Sequence, residues 1–246
     1  MSGYQYLSEE GFRVDGRKAM EMRKLDCSLG VFTQADGSAY VKQGNTVVLA
    51  AVYGPHEVRG RIKPLHDRAV VNCQFSAATF STAERKRRPR GDTKSVEMTL
   101  HLQQTFEGAV LTSLYPRCQI DVFVEVLQAD GSLLSVAINA ATMALVDAGI
   151  GMRDYVCACS AGYFGSAALL DLNNLEESQK GTGLTVAILP KSDRIVLVDM
   201  SSKIHSDHVA KTIEAAVDGC KDIHAAFDDK IKDRIGKLAA LISTEN

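Results

Sequence analysis

Three stretches of this chain carry side chains whose types and spacing could do chemistry. The first is Glu84-Arg85-Lys86-Arg87-Arg88-Pro89-Arg90, the most basic run, with Lys94 just beyond it. Such a run suits nucleic acid, a nuclear localisation signal or simply a solvated loop. Lys, Arg and Pro at this density cannot build a core, so the segment is expected to stay disordered without partners. The second is Asp130-Gly131-Ser132, a turn between a strand pattern and a helix pattern. Backbone N–H groups that open a helix can hold an anion. The third is the acidic cluster Asp171, Glu176 and Glu177, behind the apolar Ala167-Ala168-Leu169-Leu170. Carboxylates grouped in this way can serve a divalent metal or a proton.

Other chemistries find no footing. There is no G-x-x-x-x-G-K-[ST] loop, and Gly181-Thr182-Gly183 meets Val186 where a dinucleotide fingerprint needs its third glycine. No G-x-S-x-G elbow and no H-E-x-x-H word occur. His205 and His208, three apart at a helix start, read as solvated side chains. Cys157-Ala158-Cys159 has one residue between its thiols and no second pair, which does not fit zinc.

The elements that must position these stretches follow from periodicity. From Gly11 to Tyr53 the chain reads as β-rich, with Gln34-Ala35-Asp36-Gly37-Ser38 as a hairpin turn of type I′. Thr46 to Tyr53 is a buried strand ended by Gly54-Pro55, and Ala69 to Phe75 is another. A helix is expected from about Ser95 to Ser113, with Met98, Leu102, Phe106 and Val110 as its apolar stripe and Pro116 as its stop. Gln119 to Leu127 alternates, placing Ile120, Val122, Val124 and Val126 on one strand face. Gln128-Ala129-Asp130-Gly131-Ser132 then repeats the earlier QADGS word, and an Ala-rich helix runs from Val136 to Ala148, ending at Gly149. Strands are expected at Tyr155–Ala161, Leu184–Leu189 and Arg194–Met200. A helical pattern runs from Ser206, as N-cap, to Leu241. This is an α/β (α+β) two-layer protein of two related β-α halves, 12–148 and 152–242, forming one compact globular unit.

Composition agrees with that class. Of 246 residues, 46% are hydrophobic and 24% charged, and Lys+Arg 28 against Asp+Glu 30 leaves a formal net charge of −2. Collagen-like, coiled-coil and disordered classes are excluded. A near-neutral chain also argues against strong nucleic-acid binding on its own. No run of about 18 apolar residues occurs, so no membrane-spanning helix is expected. The opening Met1-Ser2-Gly3-Tyr4-Gln5-Tyr6 lacks a basic and an apolar region, so no secretory signal is expected. Six scattered cysteines in apolar segments read as reduced, buried thiols.

Taken in order, the chain resembles the RNase PH family, and within it the ring subunits of the RNA exosome. The words that carry the resemblance include Gly11-Phe12-Arg13-Val14-Asp15-Gly16-Arg17, Gln34-Ala35-Asp36-Gly37-Ser38-Ala39-Tyr40, Phe80-Ser81-Thr82-Ala83-Glu84-Arg85, Ile138-Asn139-Ala140-Ala141 and Asp147-Ala148-Gly149-Ile150-Gly151-Met152-Arg153-Asp154. The resemblance covers nearly the whole chain and implies the RNase PH fold. It implies RNA as the polymer, cleaved from its 3′ end in active members by inorganic phosphate.

Against the active pattern the chain departs at the phosphate turn. Where active relatives place a serine and an arginine opening the helix, the resemblance aligns Leu133 and Leu134, after Ser132. A leucine cannot donate to an oxyanion. A charge-assisted hydrogen bond contributes roughly 1.5–3 kcal/mol, and a catalytic arginine can be worth about 10³–10⁵ in rate in phosphoryl transfer. The resemblance aligns the family's acidic pair with Asp171 and Glu177; a glutamate carboxylate is displaced by about 1 Å, which can cost about 10²-fold. It implies a degenerate phosphorolytic site made of vestigial Asp171, Glu177, Ser132, Leu133 and Leu134. No cofactor is expected, with Mg or Mn on Asp171 and Glu177 only if the site is active. RNA contact is assigned by resemblance to Arg59, Arg61 and Lys63, to Arg87 and Arg88, and to Lys94. The implied partners are other RNase PH-like ring subunits, cap RNA-binding subunits, an associated hydrolytic nuclease and single-stranded RNA, with no membrane. The implied locations are nucleus, nucleolus and cytoplasm. The alternative reading is an active phosphate-dependent 3′–5′ exoribonuclease.

Overall fold

The computed structural model describes residues 7–8, 11–58, 65–82, 84–85, 92–164, 167–178, 182–200 and 202–244. Arg59, Arg61, Lys63, Arg87 and Arg88, with the whole basic run 86–90, lie outside the described residues.

The first half builds β1 (Leu25–Leu29), β2 (Gly37–Gln43), β3 (Thr46–Glu57), β4 (Val70–Ala77), α1 (Thr93–Ala109), β5 (Cys118–Gln128) and α2 (Leu133–Asp147). The second half builds β6 (Cys157–Phe164), β7 (Ala167–Leu170), α3 (Asn174–Ser178), β8 (Thr182–Leu189), β9 (Arg194–Met200) and α4 (Ser206–Thr244). The first sheet has order β1-β2-β3-β5-β4 and the second β7-β6-β8-β9. All pairs are antiparallel except β4 with β5. A parallel pair needs a crossover, and α1 supplies it.

The alternation in β5 buries Ile120, Val122, Val124 and Val126. Helix α2, apolar on nearly every side, touches β2 and β3 of the first sheet and β6 of the second. It buries twelve of its residues, from Leu134 to Leu145. One hydrophobic core therefore runs through both sheets. The cysteines are all free; five are buried and Cys118 is half-buried.

Several boundaries differ from the expectation, each for a long-range reason. Helix α1 stops at Ala109 rather than near Ser113, because Val110 turns extended and bridges Met152. Beside it, Leu111 N–H donates to Gly151 O and Arg153 N–H to Ala109 O, both at 2.9 Å. Strand β3 continues through Gly54-Pro55 to Glu57. Its β2 ladder ends at Val52, and its β5 ladder shifts register between Tyr53 and His56, so the missing proline N–H falls where no ladder needs it. Gly37 is no turn residue. It begins β2 after a seven-residue connection, 30–36, where a Cβ would lie 2.3 Å from Ala144 O in α2. The two QADGS words thus stand in unlike places, one leading into a strand and the other into a helix. Strand β7 had no signal beyond its apolar run. Ser206 begins α4, but its hydroxyl donates to the Asp207 carboxylate instead of capping. His208 stacks flat on Tyr163, ring centres 4.0 Å apart, rather than standing free in solvent.

Candidate functional site

The site is assembled where β3 begins, where β5 passes into α2, and where β7 passes into α3. Asp130 and Gly131 lie in the turn just after β5. Gly131 has φ +83°, and a Cβ there would lie 2.5 Å from Leu172 O, so only glycine fits. Thr46 holds this turn from the side: its hydroxyl donates to Gly131 O (2.9 Å) and accepts from Asp130 N–H (3.2 Å). Asn45 Nδ2 donates to the Asp130 carboxylate at 3.1 Å.

Ser132 follows in the left-handed region, φ 56° and ψ 35°, as the N-cap of α2. Its hydroxyl does not cap the helix; it donates to Leu172 O (2.7 Å) and meets the Ser160 hydroxyl. The backbone N–H of Ser132 donates to Glu177 Oε1 at 2.6 Å. A carboxylate of the chain itself therefore sits on the N-cap amide, at the mouth of α2. Leu134 is 4% exposed and packs in the core, and Leu133 is half-buried, so neither side chain brings a charge or a donor to this turn.

The acidic cluster divides into three different environments. Asp171, φ 52°, is fully buried. Its Oδ2 accepts from Arg23 backbone N–H and from Arg23 Nε, both at 2.9 Å, and its Oδ1 from Arg23 Nη2 at 2.6 Å. Arg17 Nη1 stands 3.7 Å from the same carboxylate. Burial alone would push the Asp171 carboxyl up; the Arg23 guanidinium and amide outweigh it and hold the group below the ordinary range. Glu176 is 1% exposed and paired with the buried Arg13, whose Nη1 and Nη2 also donate to the Leu170 and Asp171 carbonyls. Glu177 is exposed as a residue, but its carboxyl end turns inward onto the Ser132 amide. Loss of water pushes that carboxyl up against the pull of the Ser132 amide and Lys94.

Asp171 and Glu177 are accordingly not a metal-ligating pair as they stand. A metal between them would have to displace Arg23 from Asp171 and Ser132 N–H from Glu177. Lys94, exposed near the start of α1, lies within electrostatic reach of Glu177 and so belongs to the site.

Sequence reading missed Arg23 altogether. It joins the two halves: besides Asp171, its Nη1 donates to Asp130 O at 2.7 Å and Thr46 Oγ1 at 3.3 Å. Its partners are 148, 107 and 23 residues away, so no local signal marks it. Arg13 and Arg17 were visible only as letters of a family word.

Comparison with known proteins bears on this geometry. The chain matches the RNase PH model, 3′ exoribonuclease family, with domain 1 over residues 21–151 and domain 2 over residues 154–219. It is 54% identical over 243 residues to the human (Homo sapiens) exosome complex component RRP41, covering 98% of this chain and 99% of that one. To exosome complex component Rrp41 of Thermococcus kodakarensis it is 39% identical over 237 residues, covering 96% and 95%. Rice (Oryza sativa) Rrp46 superposes with TM-score 0.81 at 25% identity, over 89% of this chain and all of that one. An Archaeoglobus fulgidus exosome with RNA bound to the active site gives TM-score 0.76 at 23% identity, over 89% and 93%, a likeness of fold.

Proposed function

Because the chain belongs to the RNase PH family, we propose that it is a non-catalytic ring subunit of the RNA exosome, scaffolding the complex and lining the channel that threads single-stranded RNA. One observation carries the non-catalytic part. The Ser132 amide, which would receive the attacking phosphate, is taken by Glu177, and the helix opens on Leu133 and Leu134 in place of a cation. An anion entering there must displace a bonded carboxylate and gains no arginine in exchange.

Assembly and RNA threading are supported separately. Homology to exosome subunits runs the length of the chain. Val31, Phe32 and Tyr53 line one shallow surface cavity, and Tyr53 meets Phe123 edge-on at 5.8 Å. All four are exposed, as suits a chain that packs against neighbours. The neighbours proposed are other RNase PH-like ring subunits, with cap RNA-binding subunits and an associated hydrolytic nuclease completing the complex. Single-stranded RNA is met through Arg59, Arg61, Lys63, Arg87, Arg88 and Lys94 as a backbone-tracking set of cations, which needs no base readout. No cofactor is assigned. For a subunit working in RNA degradation and processing, the locations proposed are nucleus, nucleolus and cytoplasm.

The second reading, an active phosphate-dependent 3′–5′ exoribonuclease, draws on the intact turn and the start of α2. One assay separates the two: phosphate-dependent release of nucleoside diphosphates from labelled RNA by the assembled ring, without any hydrolytic nuclease. The conduit reading expects none. Robust release that disappears in Glu177→Ala rejects it.

A further inference from the structure

Phe80 is the most exposed large hydrophobic side chain among the described residues, at 70%. It is held out on a firm support. Strand β4 ends at Ala77, and a tight turn follows in which Ser81 N–H donates to Ala78 O at 2.9 Å. Both ends of the turn are bonded to the neighbouring strand and its extension: Ala78 N–H to Val126 O, and Ala129 N–H to Ser81 O, each at 2.9 Å. Ala129 is three residues before Ser132 on the same short turn. The phenyl group therefore stands at the rim of the candidate site on a backbone fixed to that site. Its sequence neighbours Thr79, Ser81 and Thr82 are small and polar, and the chain then enters Arg85 and the basic run toward Lys94.

A lone aromatic ring among small residues, with a run of cations that begins five residues on at Arg85, has the makings of a nucleobase platform. A protein-interface core groups several apolar side chains and excludes charge. Single-stranded nucleic-acid sites instead pair a basic track with isolated aromatic rings, on which any base can stack. We infer that Phe80 is a stacking platform for one base of single-stranded RNA, beside the phosphate turn. This rests on the RNA-conduit reading above and adds a contact to the base itself, indifferent to its identity.

The test uses the full chain assembled in its ring and a fluorescent single-stranded RNA, with one abasic position stepped along the strand. The wild-type ring should have one position at which removing the base weakens binding about fivefold or more. The Phe80→Ala ring should bind intact RNA as weakly as that and be indifferent to the abasic position. Phe80→Tyr and Phe80→Trp should restore the sensitivity; Phe80→Leu, apolar but without a π face, should not. A flat abasic scan in a wild-type ring that still binds RNA, or a Phe80→Leu ring that behaves as wild type, overturns the stacking role. Failure of Phe80→Leu to enter the ring assigns the phenyl group to a subunit interface and overturns it too. A wild-type ring that binds no RNA at all overturns the conduit reading and, with it, this one.

Discussion

At the scale of single residues, the site is governed by what neutralises each carboxylate. Asp171 is buried and met by the Arg23 guanidinium on both oxygens. Removing one partner of such a pair leaves an uncompensated buried charge, which costs about 3–5 kcal/mol. Arg23→Ala should therefore lower the thermal midpoint sharply, and Asp171→Asn added to it should recover part of the loss, because no charge is then stranded. If the double variant is no more stable than the single one, the pairing carries no such energy. The pH dependence follows from the sign of each shift. The Asp171 carboxyl is held low, so its stabilising contribution is complete above the ordinary aspartate range and is lost as pH falls through the folded value. Asp171→Asn should flatten the acid limb of the midpoint-against-pH curve below about pH 5. Glu177 is shifted upward, so the folded chain binds that proton more tightly, and stability falls as pH rises from the ordinary glutamate range to the folded value. Glu177→Gln keeps an acceptor for Ser132 N–H and should raise the midpoint at neutral pH while leaving it unchanged in acid. A fall at neutral pH would show that the charge itself is needed there.

At the scale of elements, the turn that opens α2 is bolted on three sides: by Thr46 at the start of β3, by Ser160 in β6 and by Leu172 after β7. Gly131 is the residue that lets these approach. Gly131→Ala adds a Cβ 2.5 Å from a carbonyl oxygen at φ +83°, and should cost about 2–4 kcal/mol. Gly149→Ala, at φ +69° with nothing within 4 Å, bears only the conformational penalty and should cost about 1–2 kcal/mol. Equal midpoints for the two variants would remove the packing role given to Gly131. The β5–turn–α2 passage was readable because its signals are local: alternation in the strand, Asp-Gly in the turn, and an apolar run of helical length. The end of α1 was not readable, since residues 109–111 bond to residues 151–153, some forty positions onward. The hairpin between β1 and β2 formed, but with a seven-residue connection instead of the tight turn expected at Gly37, again for a long-range reason. What demands glycine there is the close approach of α2. In the acidic cluster, the resemblance aligned Asp171 and Glu177 with one family pair; burial and three arginines from the N-terminal segment, invisible to any local pattern, put Asp171 and Glu176 into ion pairs, while Glu177 is held by the Ser132 amide.

At the scale of the whole molecule, α2 between two sheets makes the halves one packed body, and the N-terminal arginines latch that body shut across the candidate site. One packed body with a self-filled anion turn suits a structural ring member that meets RNA without cleaving it. Arg59→Glu with Arg61→Glu in the assembled complex should shorten the length of RNA protected from nuclease and flatten the salt dependence of binding, because phosphate contacts are removed. Unchanged protection would move the channel elsewhere. The central claim, that this turn no longer accepts phosphate, is tested most directly by determining the structure of the assembled ring in saturating orthophosphate. The account predicts Glu177 still bonded to the Ser132 amide, with no anion between them. Orthophosphate seated on that amide, with Glu177 swung aside, would contradict it.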